Sequence, residues 1–137
     1  MQQGETRLSH VFIAAGIGIT PYRSILRYSV DMNEPLNALM LYFNRSSADI
    51  VFRRELEGIA RQIPSFSLVN ILTGPEEGWK GEQGKLSETT LRRLVPDTDG
   101  SCFWVSGPPG MVGTCREFLE LIGVKGQSIR TDRFMGY

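Results

Sequence analysis

A chain of 137 residues is long enough for one domain with a hydrophobic core and too short for two of ordinary size. Its 41% hydrophobic and 22% charged residues exclude a disordered or fibrous class. Fifteen basic residues balanced by fifteen acidic ones exclude the broad basic field that nonspecific nucleic-acid or anionic-membrane binding needs. No apolar run approaches the roughly 18 residues of a membrane-spanning helix. The opening Met1-Gln2-Gln3-Gly4-Glu5 has neither the charge nor the apolar core of a signal peptide. The expectations are no nucleic-acid partner, no membrane span and a cytoplasmic location.

In chain order, His10 to Ala15 is a continuous apolar run and predicts a strand buried on both faces. Thr20 is the expected helix N-cap and Pro21 the first helical residue. Tyr22, Ile25, Leu26 and Val30 follow at helical spacing until Asn33-Glu34-Pro35. A second strand is predicted over 39–43. After Asn44-Arg45-Ser46-Ser47 comes a helix with the stripe Phe52, Leu56, Ile59, Ala60 and Ile63, ended by Pro64. A third strand spans 66–72, and the polar, glycine-rich stretch 73–84 reads as a long loop. Ser87 caps a short helix carrying Leu91 and Leu94, and 102–105 is a fourth strand. A fourth helix carries Met111, Val112, Cys115, Phe118, Leu119 and Ile122, stopped by Gly123, and 128–134 forms a fifth strand.

Strand and helix alternate throughout, the pattern of crossover units building a parallel sheet with helices on both faces. The fold class is α/β: a three-layer α/β/α, doubly wound, five-stranded parallel sheet in the expected order 3-2-1-4-5, as a single domain over 1–137. Cys102 and Cys115 lack metal-ligand or disulfide-framework spacing and read as buried thiols, so no metal is expected. The lone His10 reads as structural.

Ligands of such sheets bind beyond the carboxyl ends of the strands, where strand order reverses. Two loops at strand ends carry glycine turns that open onto helices. Gly16-Ile17-Gly18-Ile19-Thr20-Pro21 follows the first strand and Gly107-Pro108-Pro109-Gly110-Met111 the fourth. Each permits close backbone approach and offers amides at a helix N-terminus to a phosphate. Neither is specific alone: Pro21 occupies the third glycine position of the dinucleotide fingerprint, and glycine turns also serve packing.

Taken together, Ala15 to Pro21, Tyr42-Phe43-Asn44-Arg45, Trp79-Lys80-Gly81-Glu82-Gln83-Gly84, Val105 to Met111 and the terminal Phe134-Met135-Gly136-Tyr137 resemble the ferredoxin–NADP reductase superfamily. The resemblance runs from about Ser9 to the last residue. It implies the NAD(P)-binding domain of a flavoprotein reductase, in which a flavin-binding domain or subunit outside this chain holds FAD or FMN. NADP or NAD would present its nicotinamide to the flavin, and electrons would pass to an unidentified acceptor.

The resemblance also implies the site. Gly16, Gly18, Ile19, Thr20 and Pro21 would line the pyrophosphate and nicotinamide-ribose region. Gly107, Pro108, Pro109 and Met111 would form the opposite wall. The family usually has a cysteine just before the second glycine turn, close to the hydride-transfer position, and this sequence departs from that pattern with Ser106. Tyr137 resembles the terminal aromatic that stacks on the flavin in some branches. Ser106 and Tyr137 are thus the candidate catalytic residues. Asn44 and Arg45 end the second strand with no acid there, so the reading leans to NADPH: Arg45, with Arg53 or Arg54, could pair with its 2′-phosphate or remain a solvated charge. Trp79 could cover a cofactor or pin its loop. Two other readings stay open: a non-catalytic dinucleotide-sensing module, and a parallel-sheet domain for another phosphate ligand.

Overall fold

The computed structural model describes residues 9–133. In order, the elements are β1 (His10–Ala15), α1 (Thr20–Asp31), β2 (Ala38–Asn44), α2 (Arg53–Gln62), β3 (Phe66–Leu72), β4 (Glu82–Gln83), α3 (Glu88–Leu94), β5 (Cys102–Gly107), α4 (Pro109–Leu121) and β6 (Ile129–Arg133). Short 3-10 turns lie at Gly16–Ile19, Ser47–Asp49 and Gly126–Ser128.

The strands form one parallel sheet in the order β4-β3-β2-β1-β5-β6. The expected five strands keep their expected neighbours, but the sheet has six. The extra strand lies in the stretch 73–84 read as loop. There the Trp79 indole N–H donates to the Glu82 carbonyl at 2.8 Å, folding the chain back so that Glu82 and Gln83 pair with Ile71 and Leu72. Two polar residues carry no alternation, so no sequence pattern could have announced this strand.

The chain winds outward from β1 through β2, β3 and β4, then returns to place β5 and β6 on the other side of β1. Alternate strand residues therefore feed two cores. Val11, Ile13, Leu41, Phe103 and Val105 pack with Leu91 of α3 and Val112, Cys115 and Leu119 of α4. Phe12, Ala14, Met40 and Tyr42 face the other way, against Tyr22 and Leu26 of α1 and Leu56 and Ile59 of α2. Both sheet faces are covered, as a parallel sheet of this kind requires.

The caps differ in one place from expectation. Thr20 is the first residue of α1 and not its N-cap, because the 3-10 turn Gly16–Ile19 runs straight into the helix and Ile19 takes the capping position with helical backbone angles. Ser87 does cap α3, accepting the Thr90 amide at 3.1 Å. Gly123 sits just beyond α4 with φ of 105°, a conformation that favours glycine. The last strand begins at Ile129, since Gly126–Ser128 is helical, and Phe134 lies outside the described residues.

At the opposite end of β1 from its glycine turn, the Trp104 indole N–H donates to His10 Nδ1 at 3.1 Å. Burial holds His10 below its ordinary pKa, which keeps that nitrogen an acceptor. Cys115 is fully buried and its thiol is pushed up to about 12 by burial, while Cys102 is half-buried; both are free.

Candidate functional site

The order reverses between β1 and β5, whose neighbouring ends carry the two glycine turns. The register Ala14↔Ser106 brings these turns side by side. Gly18 lies so close to β5 that a Cβ there would collide with the Ser106 carbonyl and lie 2.9 Å from Gly107 Cα. Gly107 is nearly as restricted: a Cβ would come within 3.1 Å of Met111 Sδ and 3.4 Å of Ala15 Cβ. Gly16 has φ of 57°, turning the chain out of β1. Its carbonyl accepts the Tyr42 hydroxyl at 2.8 Å, so buried Tyr42 fixes the first turn from β2. The same hydroxyl accepts from the Val51 amide at 3.4 Å.

Each turn leads into a helix with no side-chain cap and no acidic residue in its first turn, namely α1 and α4. At α4 the leading amides and the positive end of the dipole are unopposed by side chains, whereas at α1 the Thr20 amide already donates to the Ile17 carbonyl and Pro21 has none, so the free start of that helical segment is the Gly16–Ile19 turn. The contrast is α3, which Ser87 caps and Glu88 opens. Pro21 and Pro109 lie in the first turns of α1 and α4, where a missing N–H costs nothing.

Between the turns and the end of β2 lies a cleft of about 460 Å³. Gly16, Asn44, Arg45, Pro108 and Met111 line it together with Ala15, Ile17, Phe43, Asp49, Thr73 and Leu86. The structure thus gathers five of the expected site residues on one surface. Ile19 does not offer its side chain there, because it is wholly buried in the α1–α2 core. Gly18 and Gly107 act through backbone proximity, and Thr20 and Pro109 are exposed at their helix starts. Tyr137 lies outside the described residues.

Ser106 is completely buried and its hydroxyl has no hydrogen-bond partner. The Tyr22 phenol is near enough to feel that hydroxyl, yet no bond of good geometry joins them. Tyr22 itself is raised well above the ordinary phenol range, chiefly by burial. Asn44 is only 5% exposed; the Tyr42 phenol is near enough to feel its side chain, yet no bond of good geometry joins them and neither side-chain amide atom has another partner. A buried amide with both ends unpaired is costly, and Asn44 stands on the cleft wall beside Arg45 and Thr73.

The far end of the cleft is built by two loops clipped together. The Thr73 amide donates to the Asn44 carbonyl at 2.8 Å and the Gly74 amide to the Arg45 carbonyl at 3.0 Å, extending the β2–β3 ladder. Beyond them, Glu76 accepts the Ser47 amide at 2.9 Å and the Ser47 hydroxyl at 2.6 Å. Those two bonds hold the Glu76 carboxyl below its usual range. Arg53 does not join Arg45: it pairs with Glu57 at 3.2 Å and lies over the Trp79 ring at 5.5 Å. Trp79 therefore pins its loop. Asp49 and Thr73 on the cleft wall, and the pairing of Ser47 with Glu76, escaped sequence reasoning, since loop polarity alone does not mark which residues meet in space.

Among the described residues no group of three or more His, Cys, Asp or Glu is placed to hold a metal ion, and no helix is long and apolar enough to cross a membrane.

Two glycine turns meeting a mostly apolar cleft at the switch point of a doubly wound sheet, one of them opening onto the uncapped α4, define a dinucleotide-binding type of α/β domain. Residues 12–117 match the oxidoreductase NAD-binding domain family. The chain is 32% identical over 112 residues to the glycine betaine monooxygenase reductase subunit of Pseudomonas aeruginosa, a match covering 80% of this chain and 31% of that protein. It is 33% identical over 117 residues to an NADH-cytochrome b5 reductase-like protein of Emericella nidulans, covering 84% and 25%. The cytochrome b5 reductase domain of Ulva prolifera nitrate reductase superposes with a TM-score of 0.79 at 27% identity, over 91% of this chain and 49% of that one. This chain belongs to the oxidoreductase NAD-binding domain family, within the ferredoxin–NADP reductase-like flavoprotein reductases. It spans less than half the length of each of these relatives.

Proposed function

We propose that this chain binds a nicotinamide dinucleotide along the carboxyl edge of its sheet and presents the nicotinamide to a flavin, FAD or FMN, held by a separate domain or subunit. The carrying observation is that both glycine turns, the uncapped start of α4 and Asn44 meet on one cleft. The amides opening α4 and those of the Gly16–Ile19 turn suit the pyrophosphate, because each concentrates donors and positive dipole at one point. Asn44 and Arg45 take the ribose and adenine end. Gly18 and Gly107 keep the two turns in contact, so that Ile17, Pro108 and Met111 form walls that exclude water.

The bound dinucleotide supplies the hydride, and this chain's residues bind, orient and shield it. Ser106, wholly buried beneath the contact between the turns with its carbonyl against Gly18, is proposed as a positioning residue that supports the two turns from within the sheet. Thr20 and Pro21, opening α1, and Pro109, opening α4, shape the approach of the phosphates. Tyr137 is proposed as the aromatic that stacks on the flavin. The final electron acceptor differs among the relatives by their names. A cytoplasmic location suits the free thiols Cys102 and Cys115.

Isothermal titration of the purified chain with NAD+, NADP+, ATP and inorganic phosphate tests this reading. Saturable binding of a nicotinamide dinucleotide, well above ATP or phosphate, is the expected result. Equal binding of ATP would replace it with a general nucleotide site, and no binding at all would remove it.

A further inference from the structure

Among the described residues two that are not glycine have a positive φ, Asn33 at 53° and Phe52 at 58°. Asparagine tolerates the left-handed region, and Asn33 follows the end of α1. Phe52 is the outlier. A bulky side chain is disfavoured there, and such a residue persists only where its surroundings over-determine it. The core does not supply that restraint, since Phe52 is 38% exposed. Nor does capping: Phe52 stands at the N-cap of α2, where its side chain has no hydrogen bond to give.

The restraint comes from α1. The Arg23 guanidinium lies over the Phe52 ring, 4.9 Å from its centroid, while Arg23 Nε donates to Glu55 of α2 at 3.0 Å. Arg23 belongs to the opening turn of α1, so this stack ties down the exit of the Gly16–Ile19 turn. On the other side of Phe52, the Val51 amide donates to the Tyr42 hydroxyl at 3.4 Å. That hydroxyl in turn donates to the Gly16 carbonyl at 2.8 Å, at the entry of the same turn. Two neighbouring residues thus reach opposite ends of the first glycine turn, Val51 through β2 and Phe52 through α1.

We infer that Phe52 is a positioning residue for the dinucleotide: its left-handed backbone and stacked ring set the spacing between Tyr42 and Arg23, which hold the entry and exit of the turn that takes the pyrophosphate. Glycine or asparagine would adopt the same backbone with less strain, but neither carries a ring for Arg23 to cover. The inference rests on the dinucleotide-binding reading above and adds to it a residue that does not itself line the cleft.

The test is isothermal titration of the 137-residue chain with NAD+, paired with thermal unfolding and with the amide NMR signals of Gly16 and Gly18. The proteins are the wild type, Phe52→Asn, Phe52→Tyr, Arg23→Met and Phe52→Asn/Arg23→Met. Phe52→Asn keeps the left-handed backbone and removes the ring. It should melt within about 3 °C of the wild type, bind NAD+ about fivefold or more weakly, and shift both glycine signals. Phe52→Tyr keeps the ring and should match the wild type in all three measurements. Arg23→Met removes the stack from the other side, so the double variant should lose less affinity than the two single losses combined. Unchanged affinity with unmoved glycine signals in Phe52→Asn overturns the inference, and so do additive losses in the double variant. An affinity loss that accompanies a large fall in melting temperature marks Phe52 as structural only and overturns it too. If the wild-type chain binds no NAD+, the dinucleotide reading falls and the inference with it, an outcome distinct from a wild type and a Phe52→Asn chain that bind equally well.

Discussion

Tyr42 reaches from the buried second strand to the first glycine turn, donating its hydroxyl to the Gly16 carbonyl at 2.8 Å. Burial raises the Tyr42 pKa, so the phenol stays protonated and able to donate across the ordinary pH range. Tyr42→Phe keeps the ring and removes the donor. It should cost about 1–3 kcal/mol in a urea melt and also weaken dinucleotide binding, because the Gly16 carbonyl is left without its partner. A stability loss with unchanged affinity would show that the turn holds its shape without Tyr42.

Gly18 has no space for a methyl group. A Cβ at this position meets backbone, the Ser106 carbonyl and Gly107 Cα, and not a side chain that could swing away. Gly18→Ala must push the two turns apart, with an expected cost of about 1–3 kcal/mol and loss of measurable NAD+ binding by titration. Gly110→Ala is the control: nothing lies within 4 Å of the added Cβ, so stability should stay close to wild type.

Ser106 inverts the usual expectation for a buried hydroxyl. With no partner for its Oγ, Ser106→Ala loses no hydrogen bond and should leave the unliganded chain as stable as before, or up to about 1 kcal/mol more so. Thermal unfolding checks this. The same variant should weaken NAD+ binding if the hydroxyl serves the ligand, and a clear drop in melting temperature would instead reveal a structural bond.

Glu55 links α1 to α2 through Arg23 at 3.0 Å and Arg27 at 3.2 Å. Its carboxyl is held below the ordinary value of 4.5, first by the Arg23 hydrogen bond, opposed by burial, with Arg27 adding to the effect. A carboxylate depressed on folding stabilises above its unfolded pKa, and that contribution is lost as pH falls through the lower folded value. Glu55 is 22% exposed, so the contribution is modest. Glu55→Gln should lower stability at pH 7 by up to about 1 kcal/mol, and the difference should close as acidification carries the pH through the depressed folded value of Glu55. A gap that persists at acid pH would mean that packing, not charge, carries the link.

The strands and helices are legible in the sequence because their signals are local and repetitive. The continuous apolar run of β1, the 3.6-residue stripe of α2, the Ser87 cap and the Gly123 stop each lie within a few neighbouring residues. The two glycine turns and Asn44-Arg45 are legible for the same reason, and their family resemblance places them near a dinucleotide. Thr20 has the chemistry of a cap without the position of one, because sequence does not show that the preceding 3-10 turn is already helical.

By itself, then, the amino-acid sequence determined the alternation of elements, the two glycine turns and the kind of ligand they suit. Only the tertiary structure decided how the segments beyond the strand ends are brought together. Ser47 and Glu76 are 29 residues apart, and no local pattern connects them. They meet because β2 and β3 pair in parallel register and their exit loops leave the sheet together, which also brings Gly74 against Arg45. The sixth strand, the contact of Gly18 with Ser106 and the burial of both Asn44 amide atoms have the same origin. Each depends on distances between segments that sequence periodicity does not encode, set when the sheet closes around its two cores.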